Sequence, residues 1–384
     1  MSLSQNILNY IDAHEAETLA LLREIAQIPA PSHKEEKRVA FCLDWLKKNG
    51  VEAYEDSARN VIIPFGRCDK APVAAFLAHS DVVFPDMEPL PLWEQGDELH
   101  CPGIGDNTMH VTHVLMAARY ITERKLQPKE GGVMLVINSG EEGLGNLFGC
   151  RQFVADHADK LTEFWSLDSK DGKVCNETVG SLRYRVEVLT EGGHSFSAFG
   201  NRNAIVYLAS LIDSLYQMKV PAAGTSTYNV GVISGGTSVN TIAQQAEMLF
   251  EMRSTSRESL AEMDRHFKAA IEYYRSKGIG VNVELAGERP CMGDVDREKL
   301  QEMAEKAMAA IRSYFDLEPR LTSASTDCNI PTSYGIPSVN AGCYIGFGTH
   351  TREEYILTSS VVPSQKVAFD LILDHFETEN VYGK

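Results

Sequence analysis

The chain has 384 residues, a length that suits two domains, and its 43% hydrophobic content is enough for a sizeable buried core. Its net charge of -17 argues against nucleic acid and anionic membranes as partners, because both attract basic surfaces. Eight scattered cysteines without a CxxC pair, and the lack of a signal-peptide or transmembrane pattern, predict a cytoplasmic protein with reduced thiols.

Helical and strand patterns alternate along the first half of the chain. Apolar residues at helical spacing predict helices over 3–29, 34–49, 108–124 and 147–158. Apolar, β-branched runs predict strands over 51–65, 73–83, 133–139 and 163–168. This order favours an open α/β sheet, in which ligand sites form beyond the carboxyl ends of the strands.

Acidic and imidazole side chains follow three of these strands. His79 and Asp81 are two residues apart, so both project to the same side at the end of one strand. Glu141 and Glu142 come directly after a second strand, and Asp168 comes after a third. Taken singly, each has an ordinary explanation as a turn or packing residue. Together they indicate one site at the edge of the sheet.

Glu141 and Glu142 carry the clearest chemical signal. Two adjacent carboxylates beside a buried strand repel each other and lose hydration, so a cation is expected there. Asp106 and His350, each on a glycine loop, offer further ligands, although Asp106 alone would be explained as a helix N-cap. Histidine and carboxylate ligands without cysteine suit a catalytic site for zinc, cobalt or manganese.

The glycines that follow Glu142 allow a different interpretation. Gly143–Gly149 lies between a strand and a helix, as a dinucleotide-binding loop does, which would make the protein nicotinamide-dependent. Its spacing is GxGxxxG rather than GxGxxG, and two acids would face the pyrophosphate. The metal site is therefore the favoured interpretation.

The pattern changes near residue 181. The order β-α-β-β-α-β that follows, with helices predicted over 202–218 and 257–276, is ferredoxin-like. We therefore predict an inserted domain, residues 181–288, within a catalytic domain formed by residues 1–180 and 289–384. The catalytic domain resumes with a helix over 296–313, a Ser/Thr-rich loop over 322–327, a strand over 338–343 and a terminal helix over 359–377.

In their order along the chain, these motifs resemble those of the M20 family of metallopeptidases and amidohydrolases. The matching motifs are His79-x-Asp81, Gly-x-Gly-Asp106, Glu141-Glu142, Asp168, Gly-Gly-His194-Ser and His350. The resemblance implies a mixed-sheet, zinc-peptidase-like catalytic domain with helices on both faces and an inserted ferredoxin-like α+β lid and dimerisation domain. Two positions depart from the family pattern: Phe84 replaces a usual proline, and Asn107-Thr-Met-His110 replaces a usual x-Lys-Gly segment.

The resemblance also implies a site for two divalent ions, zinc with cobalt or manganese as alternatives. The implied ligands are His79, Asp106, Glu142, Asp168 and His350. Asp106 would bridge the ions and be followed by a cis peptide. Asp171 is an alternative to Asp168, which is preferred because it follows the apolar strand directly.

The remaining roles concern catalysis and substrate binding. Glu141 would be the general base, and Asp81 would orient His79. On the lid, His194 would polarise the scissile carbonyl in the neighbouring subunit. Asn240 and Arg253 match the lid pattern for substrate binding, because arginine can grip a substrate carboxylate through two hydrogen bonds. An exposed strand edge on the lid would suit formation of a homodimer.

The implied reaction is amide hydrolysis by a metal-bridging water, in small peptides or N-acyl amino acids. The sequence around Gly180 and Gly200 favours the peptidase T-like branch, hence an aminopeptidase or tripeptidase. A carboxypeptidase or an N-acyl amino acid deacylase of the same family remains an alternative. A non-catalytic dimeric binding module is an alternative of another class, disfavoured because every ligand position and the base are filled.

Overall fold

The computed structural model describes residues 3–378, without the side chain of Leu144, and these residues divide into two units. The first unit is formed by the chain up to Glu177 and from Asp294 onward, and the second is the intervening segment Thr178–Gly293. The outer bounds of the predicted catalytic domain, residues 1 and 384, lie outside the described residues.

Helices and strands alternate in the first segment of the first unit. The helices are α1 (Gln5–Ala13), α2 (Glu15–Ala26), α3 (Glu36–Lys48), α4 (His110–Arg124) and α5 (Phe148–His157). The strands are β1 (Tyr54–Glu55), β2 (Val61–Gly66), β3 (Val73–His79), β4 (Trp93–Gln95), β5 (Glu98–His100), β6 (Gly132–Asn138), β7 (Leu161–Leu167) and β8 (Lys173–Thr178). The helix predicted over 3–29 is divided at His14, whose backbone leaves the helical region and whose ring bonds to the Tyr10 carbonyl.

The second unit follows the ferredoxin-like order of elements. Its strands are β9 (Gly180–Leu189), β10 (Gly193–His194), β11 (Ser226–Gly235), β12 (Thr241–Ile242), β13 (Gln245–Ser254) and β14 (Gly280–Arg289). Its helices are α6 (Ala204–Tyr216) and α7 (Arg257–Ser276).

The last segment returns to the first unit. Its helices are α8 (Arg297–Tyr314), α9 (Asn329–Ser333) and α10 (Val361–Leu373). Its strands are β15 (Arg320–Ala324), β16 (Ser338–Ala341), β17 (Gly346–Phe347) and β18 (Tyr355–Leu357). The loop predicted over 322–327 is therefore partly strand, because β15 joins the edge of the large sheet beside β8.

The large sheet of the first unit has the strand order β1-β2-β6-β3-β7-β16-β8-β15 and is mixed. Strands β6, β3, β7 and β16 are parallel, whereas β2 and β8 run antiparallel to their neighbours β6 and β16. Every residue of β3 and β6 is buried, as expected for strands covered on both faces. The predicted mixed α/β fold is confirmed.

Helices supply that cover. Met134 and Val136 of β6 pack with Phe153 of α5 in one apolar cluster. Helix α4 packs against β3 and β6, and α10 packs against α4 and α8. Within residues 3–378, no helix is long and apolar enough to cross a lipid bilayer.

The second unit has a four-stranded antiparallel sheet with the order β11-β13-β9-β14 and a separate two-stranded pair, β10-β12. This order, with α6 and α7 as the connecting helices, is the ferredoxin-like arrangement, and this part of the prediction is also confirmed. Leu208 and Phe267 of the helices pack on Met248 and Phe250 of β13. Strands β11 and β14 form the two edges.

Candidate metal centre

The strand ends predicted to form a site lie at one edge of the large sheet. Strands β6, β3 and β7 are adjacent and parallel, so the loops that leave their carboxyl ends are neighbours. His79 is the last residue of β3, and the loops after β6 and β7 carry Glu141, Glu142 and Asp168.

Asp106 lies between the two histidines that sequence reasoning selected. Its Oδ1 is 3.0 Å from Nε2 of His79, and its Oδ2 is 3.1 Å from Nε2 of His350. The loop that holds Asp106 is an irregular turn, and its peptide bond to Asn107 is cis, as the resemblance implies. Asn107 donates its side-chain amide to the carbonyl of Leu167 (2.8 Å), which joins this turn to the end of β7.

Each histidine also faces one further carboxylate. Asp168 Oδ1 is 3.8 Å from Nε2 of His79, and Glu142 Oε1 is 3.0 Å from Nε2 of His350. The alternative Asp171 lies on the next turn, where its backbone N–H donates to the Tyr344 carbonyl. The acids therefore form two groups that share Asp106.

The cluster is compact and mostly buried. His79, Asp106 and Glu142 each place a ligand atom within 4.8 Å of the others. The His79 side chain is 1% exposed, whereas that of His350 is 53% exposed. The His350 side of the cluster is therefore the side from which solvent reaches it.

Asp81 connects two of the loops beneath this cluster. Its two carboxylate oxygens accept the backbone N–H groups of Glu141 (2.9 Å) and Glu142 (3.0 Å). The Ser32 hydroxyl donates to Asp81 at 2.6 Å, and Nδ1 of His79 lies 3.5 Å from it. Asp81 is fully buried and therefore fixes the acidic loop as well as the ring of His79.

His350 is carried by a hairpin whose base is an aromatic pair. Strands β17 and β18 pair Phe347 with Tyr355, with ring centroids 5.3 Å apart. Tyr355 in turn pairs across the sheet with His100 of β5, at 4.7 Å between ring centroids. His350 at the tip has a left-handed backbone (φ 65°), so the hairpin turns sharply at this position.

Two further residues hold this hairpin, and sequence reasoning missed both. The Glu354 carboxylate is 2% exposed and accepts the backbone N–H groups of Gly103 (2.8 Å), Gly105 (3.0 Å) and Asp106 (3.1 Å). Lys170 donates from Nζ to the Gly346 carbonyl (3.0 Å) and to Oγ1 of Thr349 (2.8 Å). Both are charged residues in polar stretches, so no local signal distinguishes them from surface residues.

The electrostatics of the cluster reflect crowded acids. Burial, with the charges of Asp106 and Glu141 added, raises the pKa of Glu142 to about 7. Burial and the charge of Asp106 likewise raise the pKa of Asp168 well above its usual range. Repulsion between these carboxylates opposes their simultaneous ionisation, and a bound cation would offset that repulsion.

The two imidazoles respond to the same acids. Burial alone would lower the pKa of His79, but hydrogen bonds to Asp106 and Asp81 outweigh burial and raise it well above its usual range. Hydrogen bonds to Asp106 and Glu142 raise the pKa of His350 to about 10. Without a metal ion, the ring nitrogens of both histidines therefore face carboxylates. With an ion bound between them, the same nitrogens would face the cation.

The residues present fit a pair of divalent cations. Asp106 directs one oxygen toward each histidine, and each histidine has its own additional carboxylate, so the donors divide into two sets around one shared acid. Nitrogen and oxygen donors without thiolate suit zinc, manganese or cobalt in a catalytic site.

The second unit holds the other residues selected from the sequence. His194 on β10 pairs with Thr241 of β12. Its Nδ1 accepts the backbone N–H groups of Phe196 (3.2 Å) and Ser197 (3.4 Å). Because Nδ1 is an acceptor, a neutral His194 carries its proton on Nε2 and can donate it from there. Asn240 is next to it: its carbonyl accepts the backbone N–H of Ser195 at 2.9 Å.

Arg253 lies at the opposite end of strand β13 from the short β10-β12 pair that holds His194. Strand β13 runs from Gln245, near His194, to Arg253, a separation of about 26 Å at ~3.3 Å per residue. The Arg253 guanidinium makes two hydrogen bonds to Glu251, of 2.8 and 3.0 Å. The structure therefore does not bring Arg253 together with His194 and Asn240 within one unit.

Comparison with known proteins identifies two family models along the chain. Residues 60–174 match the model of peptidase family M28, and residues 176–278 match the M20 peptidase dimerisation domain. The uncharacterised protein YqjE of Bacillus subtilis is 24% identical over 378 residues, which cover 94% of this chain and 98% of that protein.

Solved structures with the same fold include M20 peptidases. A tripeptidase from Staphylococcus aureus superposes with a TM-score of 0.75 and 19% identity, covering 93% of this chain and 97% of that one. YxeP from Bacillus subtilis, a dinuclear metal-binding peptidase of the M20 family, superposes with a TM-score of 0.65 and 17% identity, covering 95% and 99%. The resemblance to the M20 family is confirmed.

Proposed function

We propose that this chain, which resembles the M20 metallopeptidases in sequence and fold, is a metal-dependent hydrolase that cleaves an amide bond in small peptides. The observation that carries the proposal is the Asp106 carboxylate, whose two oxygens face two different histidines. His79, Asp168 and Asp106 would hold one divalent ion, and His350, Glu142 and Asp106 the other. Ions held there would supply Lewis acidity that polarises a water molecule and the substrate carbonyl.

Glu141 is the proposed general base. It is 6% exposed and precedes the ligand Glu142, and the Asp81 carboxylate fixes the backbone of both residues. Its carboxylate accepts a proton from the attacking water, and the remaining hydroxide adds to the carbonyl carbon. The carbon–nitrogen bond then breaks as Glu141 returns that proton to the leaving nitrogen.

His194 and Asn240 are proposed to act on the substrate carbonyl, and Arg253 on a substrate carboxylate. The tautomer set by Phe196 and Ser197 leaves Nε2–H of His194 as a donor, which suits stabilisation of developing negative charge. A substrate carboxylate would have to share Arg253 with Glu251.

The distance along β13 favours a homodimer. A small peptide cannot span the length of β13, about 26 Å from Gln245 to Arg253, so His194 and Arg253 would meet one substrate only if they came from different chains. The match to a dimerisation domain supports this arrangement.

Small peptides are the favoured substrates because one of the solved structures with this fold is a tripeptidase. N-acyl amino acids are the alternative, since their hydrolysis needs the same base and metals. Tripeptides, dipeptides and N-acetylated amino acids assayed side by side with added zinc, manganese or cobalt separate these classes.

Metal removal and a base variant test the proposal. Treatment with a chelator is expected to abolish amide hydrolysis, and zinc, manganese or cobalt to restore it. Glu141→Gln should lower kcat by about 10²- to 10⁴-fold while the metal content stays at the wild-type level. Full activity of the chelated protein, or of the Glu141 variant, would exclude this mechanism.

A further inference from the structure

The start of helix α3 lies directly behind the proposed metal centre and touches three of its loops. Glu35 precedes the helix, and Arg38 is one turn further on, so the two side chains lie on the same face. Both are buried: Arg38 and Glu35 are each 0% exposed. Neither belongs to the motifs from which the site was predicted.

Arg38 bonds to two loops that carry metal ligands. One guanidinium nitrogen, Nη1, donates to the carbonyl of Ser80 at 2.8 Å and to Oγ1 of Thr108 at 3.3 Å. Ser80 lies between His79 and Asp81, and Thr108 is two residues after Asp106. The other nitrogen, Nη2, donates to the carbonyl of Ile28 at 2.7 Å, two residues past the end of α2.

Glu35 bonds to a third loop. Its Oε1 accepts the backbone N–H of Gly140 at 3.0 Å, directly before Glu141, and that of His33 at 2.9 Å. Glu35 and Arg38 together therefore contact the loops of His79, Asp106 and Glu142. These are the loops whose relative positions define both metal sites.

Burial of Arg38 is costly, because its guanidinium donates to the neutral oxygens of Ser80, Thr108 and Ile28 and, within residues 3–378, its Nε has no hydrogen-bond partner. A residue kept only for stability could be replaced at such a position by an apolar side chain of similar size without loss. The planar fork of arginine, however, reaches two loops at fixed angles, which neither lysine nor methionine does.

We infer that Arg38, assisted by Glu35, is a positioning residue that sets the spacing of the metal-ligand loops and thereby the affinity for the ions. The inference rests on the proposed metal centre. Loss of the guanidinium lets the His79 and Asp106 loops relax independently, so the ligand atoms no longer converge on the same two points. Residues that orient ligands in this way typically change metal affinity by about 10- to 100-fold.

The test compares metal affinity rather than activity alone. Wild type, Arg38→Met, Arg38→Lys and Glu35→Gln are equilibrated with zinc at buffered free concentrations, and bound metal per folded chain is measured. Arg119→Met is the matched control: Arg119 is 4% exposed and bonded to Tyr10 and Glu17, and lies about 13 Å along α4 from its start. We expect affinity to fall by about tenfold or more in Arg38→Met and to change less than about twofold in Arg119→Met, although both lose stability.

A folded Arg38→Met variant with wild-type affinity would overturn the inference. If that variant does not fold, Arg38→Lys and Glu35→Gln decide in its place, and wild-type affinity in both overturns it equally. The absorption spectrum of bound cobalt gives a second readout, since displaced ligands change its shape. Wild type without bound metal would instead contradict the proposed function, so the two failures are distinguishable.

Discussion

The proposed metal centre depends most on the Asp106 carboxylate, because it is the one acid shared by both proposed ligand sets. Its neighbours His350 and His79 donate to it and lower its pKa, although burial opposes this effect. A carboxylate held in this state is a ready ligand at neutral pH. Burial and the neighbouring carboxylates raise the pKa of Glu142 to about 7. A cation bound among these carboxylates would favour their ionised forms.

Buried His113 provides a pH test at the scale of a single residue. Burial, with the charge of His110 added, lowers the pKa of His113 well below its usual range, so the folded chain keeps this ring neutral. The unfolded chain binds a proton there below about pH 6.5. This contribution to stability is therefore present above that pH and is lost as the pH falls toward the folded pKa.

The unfolding free energy of the wild type should fall as the pH is lowered. In His113→Leu we expect this fall to be smaller, by up to ~1.4 kcal/mol per pH unit. Urea denaturation of the metal-free wild type and variant between about pH 7.5 and 5 measures both slopes. Identical slopes would show that His113 is not kept neutral by the fold.

At the scale of elements, the His350 hairpin and the Asp106 turn act together through Glu354. A glutamine at this position would present an amide N–H₂ to at least one of three backbone N–H groups, which cannot accept it. Glu354→Gln should therefore weaken metal binding by about 10- to 100-fold.

The neighbouring Glu353 is exposed, and Glu353→Gln is its matched control. Equilibrium binding of zinc to the three proteins gives the comparison. Equal affinities for wild type and Glu354→Gln would mean that the carboxylate does not hold the Asp106 turn in its binding geometry.

The sequence predicted the elements that have strong local patterns. Helix α7, predicted over 257–276, has those bounds in the structure, because its apolar residues recur at helical spacing over five turns. Short strands such as β4 and β15 were missed, since three to five residues at a sheet edge carry little periodic signal.

The candidate site residues were predictable where acidic or imidazole side chains stand at the ends of apolar strands. His79, Asp81 and the Glu141–Glu142 pair follow apolar strands, so their local sequence shows where they point. Arg38 and Glu354 were not predictable, because their importance arises from contacts with residues 42 and about 250 positions away. Polar residues in helices and loops are ordinarily solvated, and only the folded chain shows these two to be buried.

At the scale of the whole molecule, the proposed dimer should form through strand β11. This edge strand exposes Val232 (52%) and Ile233 (55%), and the adjoining helix α6 exposes Val206 (62%). Tyr216 of α6 accepts the backbone N–H of Val230 on β11, so the helix and the strand form one continuous surface. Exposed apolar patches of this kind mark association sites.

Ile233→Lys is expected to convert the proposed dimer to a monomer that still binds metal but hydrolyses its substrate poorly, because His194 and Arg253 would no longer meet. Leu285 on the opposite edge strand β14 is 49% exposed, and Leu285→Lys serves as the control. Sedimentation analysis gives the masses, and a monomeric wild type with full activity would exclude the dimer.

We propose that a pair of divalent ions is held by His79, Asp106, Glu142, Asp168 and His350. The decisive measurement is the metal content per chain of wild type and of Asp106→Ala after equilibration with buffered zinc. We expect two ions per chain in wild type and loss of both in the variant, because Asp106 is the shared ligand. A wild type that retains no zinc, or an Asp106→Ala variant that retains two ions, would contradict it.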